Sequence, residues 1–194
     1  MNILFFTIFL NFIVLLIVYF YSNEKKTNLK ILIYFGIFIG FFSLCTICLF
    51  DSCFGASTPV DIKTQNLTNQ NLKIYTIAFW DNYETGSGNY VSYNSELELN
   101  ETSEFCMDND GGKFWLIAKN KQNEIIYLKE FTNTENYFNC NIELNQIAEV
   151  EKIEIAQELT FRADKNLELE KYLVWFNVIL IISLIIKLFQ KVTK

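Results

Sequence analysis

Three cysteines lie close together at positions 45, 48 and 53, and thiols at this spacing could support redox or metal chemistry. Cys45 and Cys48 form a C-x-x-C pair, which occurs in disulfide oxidoreductases and in zinc sites. A tetrahedral metal site needs about four ligands, but the chain has no histidine and Asp51 is the one carboxylate nearby. We therefore interpret Cys45 and Cys48 as small apolar packing residues, with a membrane thiol–disulfide protein as an alternative.

Two further cysteines lie in the middle of the chain, at positions 106 and 140. An extracytoplasmic location would permit a disulfide bond there. Because both residues flank or lie in predicted strands, the sequence favours Cys106–Cys140 as the candidate pair. Cys53 is then the candidate free or intermolecular thiol.

An acidic stretch at residues 106–115, CMDNDGGKFW, places Asp108, Asp110 and Gly111 in an order that occurs in calcium loops. A complete calcium loop needs more oxygen ligands and a glutamate at its end. Asp-Gly and Gly-Gly are also typical of tight turns. We predict a turn here, with a cation site as the alternative, and no metal site elsewhere.

The sequence lacks the residues that most enzymes use for acid–base or phosphate chemistry. It has no histidine, the commonest general base, and no glycine-rich loop followed by a lysine and a helix. We therefore predict a protein that is not an enzyme and needs no cofactor. The single arginine and the net charge of −6 argue against nucleic acid as a partner.

Three long apolar segments dominate the two ends of the chain. Residues 2–21 carry no charge, residues 29–50 carry only Lys30, and residues 172–189 carry only Lys187. Each has about 18 to 22 residues, enough for a helix to cross a hydrocarbon layer of about 30 Å. We predict three transmembrane helices. The first is a retained anchor, because no basic residue precedes it and bulky aromatics follow it.

Charge predicts the orientation of these spans. The loop after the first span and the C-terminal tail are lysine-rich, and lysine marks the cytoplasmic side. Residues 51–171 carry 21 acidic and 10 basic side chains, a net charge of −11. The prediction is an inner-membrane, multi-pass protein whose N-terminus and middle domain lie outside and whose C-terminus is cytoplasmic.

The pattern in the middle of the chain predicts a β-rich domain. Short runs rich in β-branched and aromatic residues are separated by turn-like segments. A helix is expected from about residue 164 into the third span. The predicted fold class is an α+β membrane protein with an inserted antiparallel β-sandwich or small barrel. Its parts are a transmembrane hairpin at 1–50, an extracytoplasmic domain at 54–168 and a C-terminal helix with a basic tail at 169–194; the predicted strands cover 71–80, 90–99, 113–119, 124–131, 137–144 and 149–156.

Four residues within the spans are candidates for helix packing. Gly36 and Gly40 form a G-x-x-x-G motif, which permits close approach of a neighbouring helix. Asn11 and Asn177 are amides placed deep in the first and third spans, and buried amides need hydrogen-bond partners. The spans contain no ionisable residue near their centres, which argues against transport.

These features predict an accessory or scaffold subunit of a membrane complex, whose β-domain mediates protein–protein interaction. Its partners would be the lipid bilayer and either other membrane subunits or further copies of itself. The alternative is a ligand-sensing or defence and immunity effector, in which the β-domain controls the helices.

Overall fold

The computed structural model describes residues 2–20, 26–49, 59–79, 89–107, 112–132, 135–144, 146–148 and 150–192. Within these residues the chain is α+β, with three α-helices and eight strands in two sheets. Its contacts divide it into two compact units. The helical unit comprises residues 1–51 and 166–194, and the sheet unit comprises residues 52–165.

The helical unit contains α1 (Asn2–Phe20), α2 (Lys26–Leu49) and the second part of α3 (Ile153–Val192). Continuous apolar runs without proline form these helices, since no residue interrupts the backbone hydrogen bonds. One apolar cluster joins the end of α1 to the start of α2, so these helices are antiparallel. A second cluster joins the start of α1 to α3, and its members include Leu4, Ile8 and Leu180.

The sheet unit contains two sheets and the first part of α3. Sheet A has three strands in the order β4-β1-β7, and sheet B has five in the order β3-β2-β5-β6-β8. The strands are β1 (Val60–Asn66), β2 (Leu72–Phe79), β3 (Asn89–Leu97), β4 (Thr102–Met107), β5 (Lys113–Lys119), β6 (Ile125–Thr132), β7 (Tyr137–Ile142) and β8 (Gln146–Ile147).

The central strands of sheet B are buried on both faces. One face of β2 and β5 packs against sheet A, and Phe114 and Leu116 lie in that core. The opposite face, with Trp115 and Ile117, packs against the first turns of α3. This explains why β5 reads KFWLIAK without a polar alternation, because strands covered on both sides are apolar throughout. The layers are sheet A, sheet B and helix.

Buried asparagine at the end of β1 holds two turns in place. Asn66 is fully buried, and its Nδ2 donates to the carbonyls of Gln70, Leu97 and Glu98 at 2.8 to 3.2 Å. Its Oδ1 accepts hydrogen bonds from the backbone and hydroxyl of Thr68. One side chain therefore satisfies polar groups of both turns, at residues 68–70 and 97–98.

The sheets differ from the predicted antiparallel arrangement in two places. β1 pairs with β7 in parallel, and β6 pairs with β8 in parallel, so both sheets are mixed. The described strands of each sheet form an open order and do not close into a barrel. The strands predicted at 113–119 and 124–131 are confirmed as β5 and β6, which pair antiparallel as a hairpin. β1 and β4 were not predicted, because VDIKTQN and TSEFCM carry too few apolar residues to stand out.

The strand predicted at 149–156 is wrong, since residues 150–152 form a short 3₁₀ turn and α3 begins at Ile153. The sequence EVEKIEIA alternates, but it also fits a helical spacing. Ile153, Ala156 and Leu159 fall on one face of a helix, and that face covers sheet B. Tertiary packing therefore selects the helix.

Candidate functional site

The helical unit has a polar centre, formed by Asn11 of α1, Gly40 and Ser43 of α2, and Asn177 of α3. We call these four residues the amide cluster. All four residues are buried, and the side chains of Asn11 and Asn177 have 0% exposure. Three of them were predicted as helix-packing residues from sequence, and the structure brings them together.

Hydrogen bonds link all three helices within the amide cluster. Asn11 Nδ2 donates to Asn177 Oδ1 at 3.3 Å. Asn177 Nδ2 donates to the Gly40 carbonyl at 3.2 Å and to Ser43 Oγ at 3.1 Å. Ser43 Oγ in turn donates to the Gly40 carbonyl at 3.1 Å. Asn177 is the hub, because it both accepts from α1 and donates to α2.

Gly36 and Gly40 create the space in which the amide cluster forms. A β-carbon at Gly40 would lie 2.6 Å from Ile181 Cγ1 and 2.9 Å from Asn11 Nδ2. A β-carbon at Gly36 would lie 2.9 Å from Leu184 Cδ1 and 3.1 Å from Asn11 Oδ1. Both glycines therefore permit close contacts, and a β-carbon would disturb those at Gly40 more than those at Gly36, where the end of the Leu184 side chain can shift. Asn11 Oδ1 has no hydrogen-bond partner among the described residues.

The exterior of the helical unit is apolar, whereas the amide cluster at its centre is polar. Large aromatic and aliphatic side chains of all three helices are exposed; among them are Phe5, Phe9, Phe12, Phe35, Phe38, Phe42, Trp175, Ile179, Ile182 and Phe189. Among the described residues, two helices contain segments long and apolar enough to cross a membrane, in the ranges 28–45 and 150–190. The apolar part of α1, residues 4–20, is shorter.

The cysteines do not form the predicted Cys106–Cys140 pair. Cys106 belongs to a disulfide, whereas Cys140 is a free and buried thiol. The two residues lie on β4 and β7, on opposite sides of β1, where Cys106 is level with Asp61 and Cys140 with Thr64. Strands separated by another strand are about 9.5 Å apart, and a disulfide requires α-carbons within about 7 Å.

The remaining cysteines fall in different places. Cys45 is a free and exposed thiol on α2. Cys48 lies in the same helix, and Cys53, the predicted free thiol, lies outside the described residues. Burial raises the pKa of Cys140 to about 11, although Lys129 lowers it slightly, so this thiol stays protonated and unreactive at neutral pH.

The acidic loop at 108–111 also lies outside the described residues, so the predicted turn and its cation alternative stay predictions. Within the described ranges, no group of three His, Cys, Asp or Glu side chains could hold a metal ion.

An ionic cluster fixes the start of α3 to sheet B. Glu130 accepts hydrogen bonds from Lys113 at 2.8 Å, from Lys152 at 2.6 Å and from Trp115 Nε1 at 3.1 Å. Desolvation alone would raise the pKa of Glu130, but the three hydrogen bonds outweigh it and lower that pKa to about 2. Lys152 also lies over the Trp115 ring. No sequence pattern predicts this cluster, because its residues come from β5, β6 and the turn before α3.

A second polar group lies on the same face of sheet B. Tyr75 donates from its hydroxyl to Asp164 of α3 at 2.6 Å, and burial followed by this bond raises the pKa of Tyr75. Lys119 is almost fully buried beside the Tyr75 ring, and desolvation lowers the pKa of its ammonium. These contacts tie α3 to β2 and β5, which is a structural role.

Comparisons with known proteins give little further information. No protein-family model and no curated protein matches the sequence. A solved structure described as the NMR structure of a protein from Eubacterium rectale is 18% identical, covers 47% of this chain and 86% of its own, and has a TM-score of 0.33. A similarity at that level carries no argument about fold or function.

Proposed function

We propose that the chain is an integral membrane protein whose three helices cross the bilayer and whose sheet unit lies outside as an interaction domain of a membrane complex. The observation that carries this proposal is the polarity of the helical unit. Amides and a hydroxyl are buried at its centre, while phenylalanine and isoleucine cover its exterior. Water would favour the opposite arrangement, and lipid favours this one.

The lengths of the helices agree with this proposal. α1 has 19 residues and α2 has 24, which at 1.5 Å per residue reach about 28 and 36 Å, close to a hydrocarbon layer of about 30 Å. Small residues and amides at the helix contacts are typical of membrane bundles, because interhelical packing there gains little from the hydrophobic effect.

Lysine positions support the proposed orientation. Lys25, Lys26 and Lys30 follow the first span, and Lys191 and Lys194 follow the third, so both sites would face the cytoplasm. The sheet unit then lies on the extracytoplasmic side. Its acidic character and its attachment to helices at both ends support a role in binding a partner close to the membrane surface.

Protease protection in intact cells tests this topology. We expect an epitope tag after Lys194 to survive external protease, whereas the sheet unit is cleaved, and the protein to stay in the membrane after alkaline carbonate washing. Release by carbonate, or cleavage of the tag in sealed cells, would contradict the proposal.

The subunit role needs a separate measurement. We expect native purification in a mild detergent to yield this chain with a stoichiometric partner protein. A lone monomer that retains its fold would refute the subunit role and leave the membrane topology intact.

A further inference from the structure

Sheet A is two strands narrower than sheet B, and this leaves a groove at one side of the sandwich. β7 is the last strand of sheet A, and Phe138 on β7 contacts Phe114 of β5 and Phe131 of β6 at ring distances of 5.3 and 5.4 Å. Beyond this contact, no described strand of sheet A covers β6 and β8. A cavity of about 530 Å³ occupies that position. We call it the β7 groove.

The wall of the β7 groove is the outer edge of β7, contributed by the consecutive residues 139–141. The carbonyls of Asn136 and Ile142 accept hydrogen bonds from residues at the two ends of β1, so even-numbered residues of β7 point their backbone groups toward β1. Backbone direction alternates along a strand. The N–H and C=O groups of Asn139 and Asn141 therefore point into the groove, and no described strand pairs with this edge.

The floor of the β7 groove contains a charge where a core residue would be expected. Tyr127, Lys129 and Phe131 share the face of β6 that points toward sheet A. Tyr127 is buried and Phe131 is half-buried, whereas Lys129 is exposed and its Nζ lies 4.9 Å from the Phe131 ring centre. A lysine on the inner face of a sandwich conflicts with core packing, and such conflicts are expected at functional positions.

We propose that the β7 groove binds an extended segment of a partner protein, which adds to β7 as a fourth strand of sheet A and places a carboxylate against Lys129. This inference rests on the proposed interaction role of the sheet unit and names its site. Backbone hydrogen bonds to Asn139 and Asn141 would supply affinity, as in other cases of strand addition. Specificity would come from alternate side chains, an acidic one at Lys129 with apolar ones on either side of it.

Two synthetic peptides with blocked ends test this chemistry on the full chain in nanodiscs. The acidic probe is TVTETVTV and the basic probe is TVTKTVTV. They differ only at the fourth position, an inward-facing residue that is glutamate in one and lysine in the other. We expect the acidic probe to bind at least tenfold more tightly by fluorescence anisotropy. It should also slow hydrogen exchange at the amides of Asn139 and Asn141. Equal affinity for the two peptides, or no binding of either, would overturn the proposal.

Backbone and charge variants separate the two parts of the inference. Asn139→Pro removes an N–H that points into the groove without removing one that points to β1, and we expect at least a tenfold loss of binding. Asn139→Ala is the matched control, since it keeps the N–H and should bind within twofold of the parent chain. An Asn139→Pro variant that binds as well as Asn139→Ala would contradict strand addition.

Lys129→Glu keeps the test valid even where the proline variant fails to fold. We expect it to bind the basic probe better than the acidic one, while Lys121→Glu, on the exposed β5–β6 turn, leaves the preference unchanged. The mass of the protein in its nanodisc tests whether a second copy of the chain occupies the β7 groove instead. A dimer that the Asn139→Pro substitution separates into monomers would identify a second copy as the occupant and contradict the proposed partner segment. Each of these failures would leave the topology result untouched.

Discussion

The two units of the chain differ in the side chains that they expose. The helical unit buries Asn11 and Asn177 and exposes phenylalanines, whereas the sheet unit buries Trp115 and Phe114 and exposes most of its charges. In both units most buried polar groups have a hydrogen-bond partner; among the described residues, Asn11 Oδ1 and Ser95 Oγ are the exceptions. This difference in exposed side chains supports our proposal that lipid surrounds the helical unit and water surrounds the sheet unit.

The role of polar groups also differs between the units. In the sheet unit, Asn66 bonds to groups of two turns, and Glu130 joins β5 and β6 to the start of α3. In the helical unit, the amide cluster joins three helices by hydrogen bonds, and under the proposed membrane location their apolar surfaces would gain little by meeting. Substitutions should therefore cost more in the sheet unit than in the helical unit.

The largest effect is expected for Asn66→Ala. Three carbonyls and the Thr68 groups would lose their partner inside the sheet unit, which should lower the free energy of unfolding by about 3 kcal/mol or more. Urea denaturation followed by tryptophan fluorescence measures this loss. Asn141→Ala, at an exposed position on β7, is the control and should change stability by less than about 0.5 kcal/mol. A change in the free energy of unfolding as small as that of the control would show that water molecules replace the hydrogen bonds of the Asn66 side chain.

The next effect is a dependence of sheet-unit stability on pH through Glu130. Its pKa is lowered to about 2 in the folded chain and is about 4.3 when unfolded, so its stabilisation is complete above pH 4.3. The stabilisation, about 3 kcal/mol at most, should be lost as the pH falls from about 4.3 to 2.

Glu130→Gln tests the assignment of this pH dependence. The variant should be less stable at pH 7 and lose less stability on acidification than the parent chain. Glu135→Gln, at an exposed site, should retain the parent profile. If Glu130→Gln loses as much stability as the parent chain between about pH 4.3 and pH 2, the pH dependence belongs to other groups.

A smaller effect is expected for Gly40→Ala in the helical unit. Alanine favours a helix over glycine by about 1 kcal/mol, but its β-carbon would overlap Ile181 and Asn11. We expect a net loss of about 1 to 2 kcal/mol, measured by unfolding in mixed detergent micelles. Gly36→Ala should cost less, because its closest contact, with the end of the Leu184 side chain, is longer. A stabilised Gly40→Ala would refute the close packing.

The sequence predicted positions in the helices better than partners in the sheets. Asn11, Gly40 and Asn177 could be found because an uninterrupted apolar helix makes any small or polar residue conspicuous. Ser43 was missed, although it continues the spacing of Gly36 and Gly40 by one turn. In the sheet unit, the strand predicted at 137–144 contains β7, but its parallel partner β1 was not predicted because its sequence is mostly polar. The Cys106–Cys140 pair failed for the same reason, since nothing in the sequence places β1 between them.

Tryptophan fluorescence compares the two surroundings directly. Trp175 is 68% exposed on α3, and Trp115 is fully buried in the sheet unit. Single-tryptophan variants retain one of them: W80F with W115F keeps Trp175, and W80F with W175F keeps Trp115. In bilayers of lipids with brominated acyl chains, we expect strong quenching of Trp175 and none of Trp115. An unquenched Trp175 would contradict the claim that lipid surrounds the helical unit.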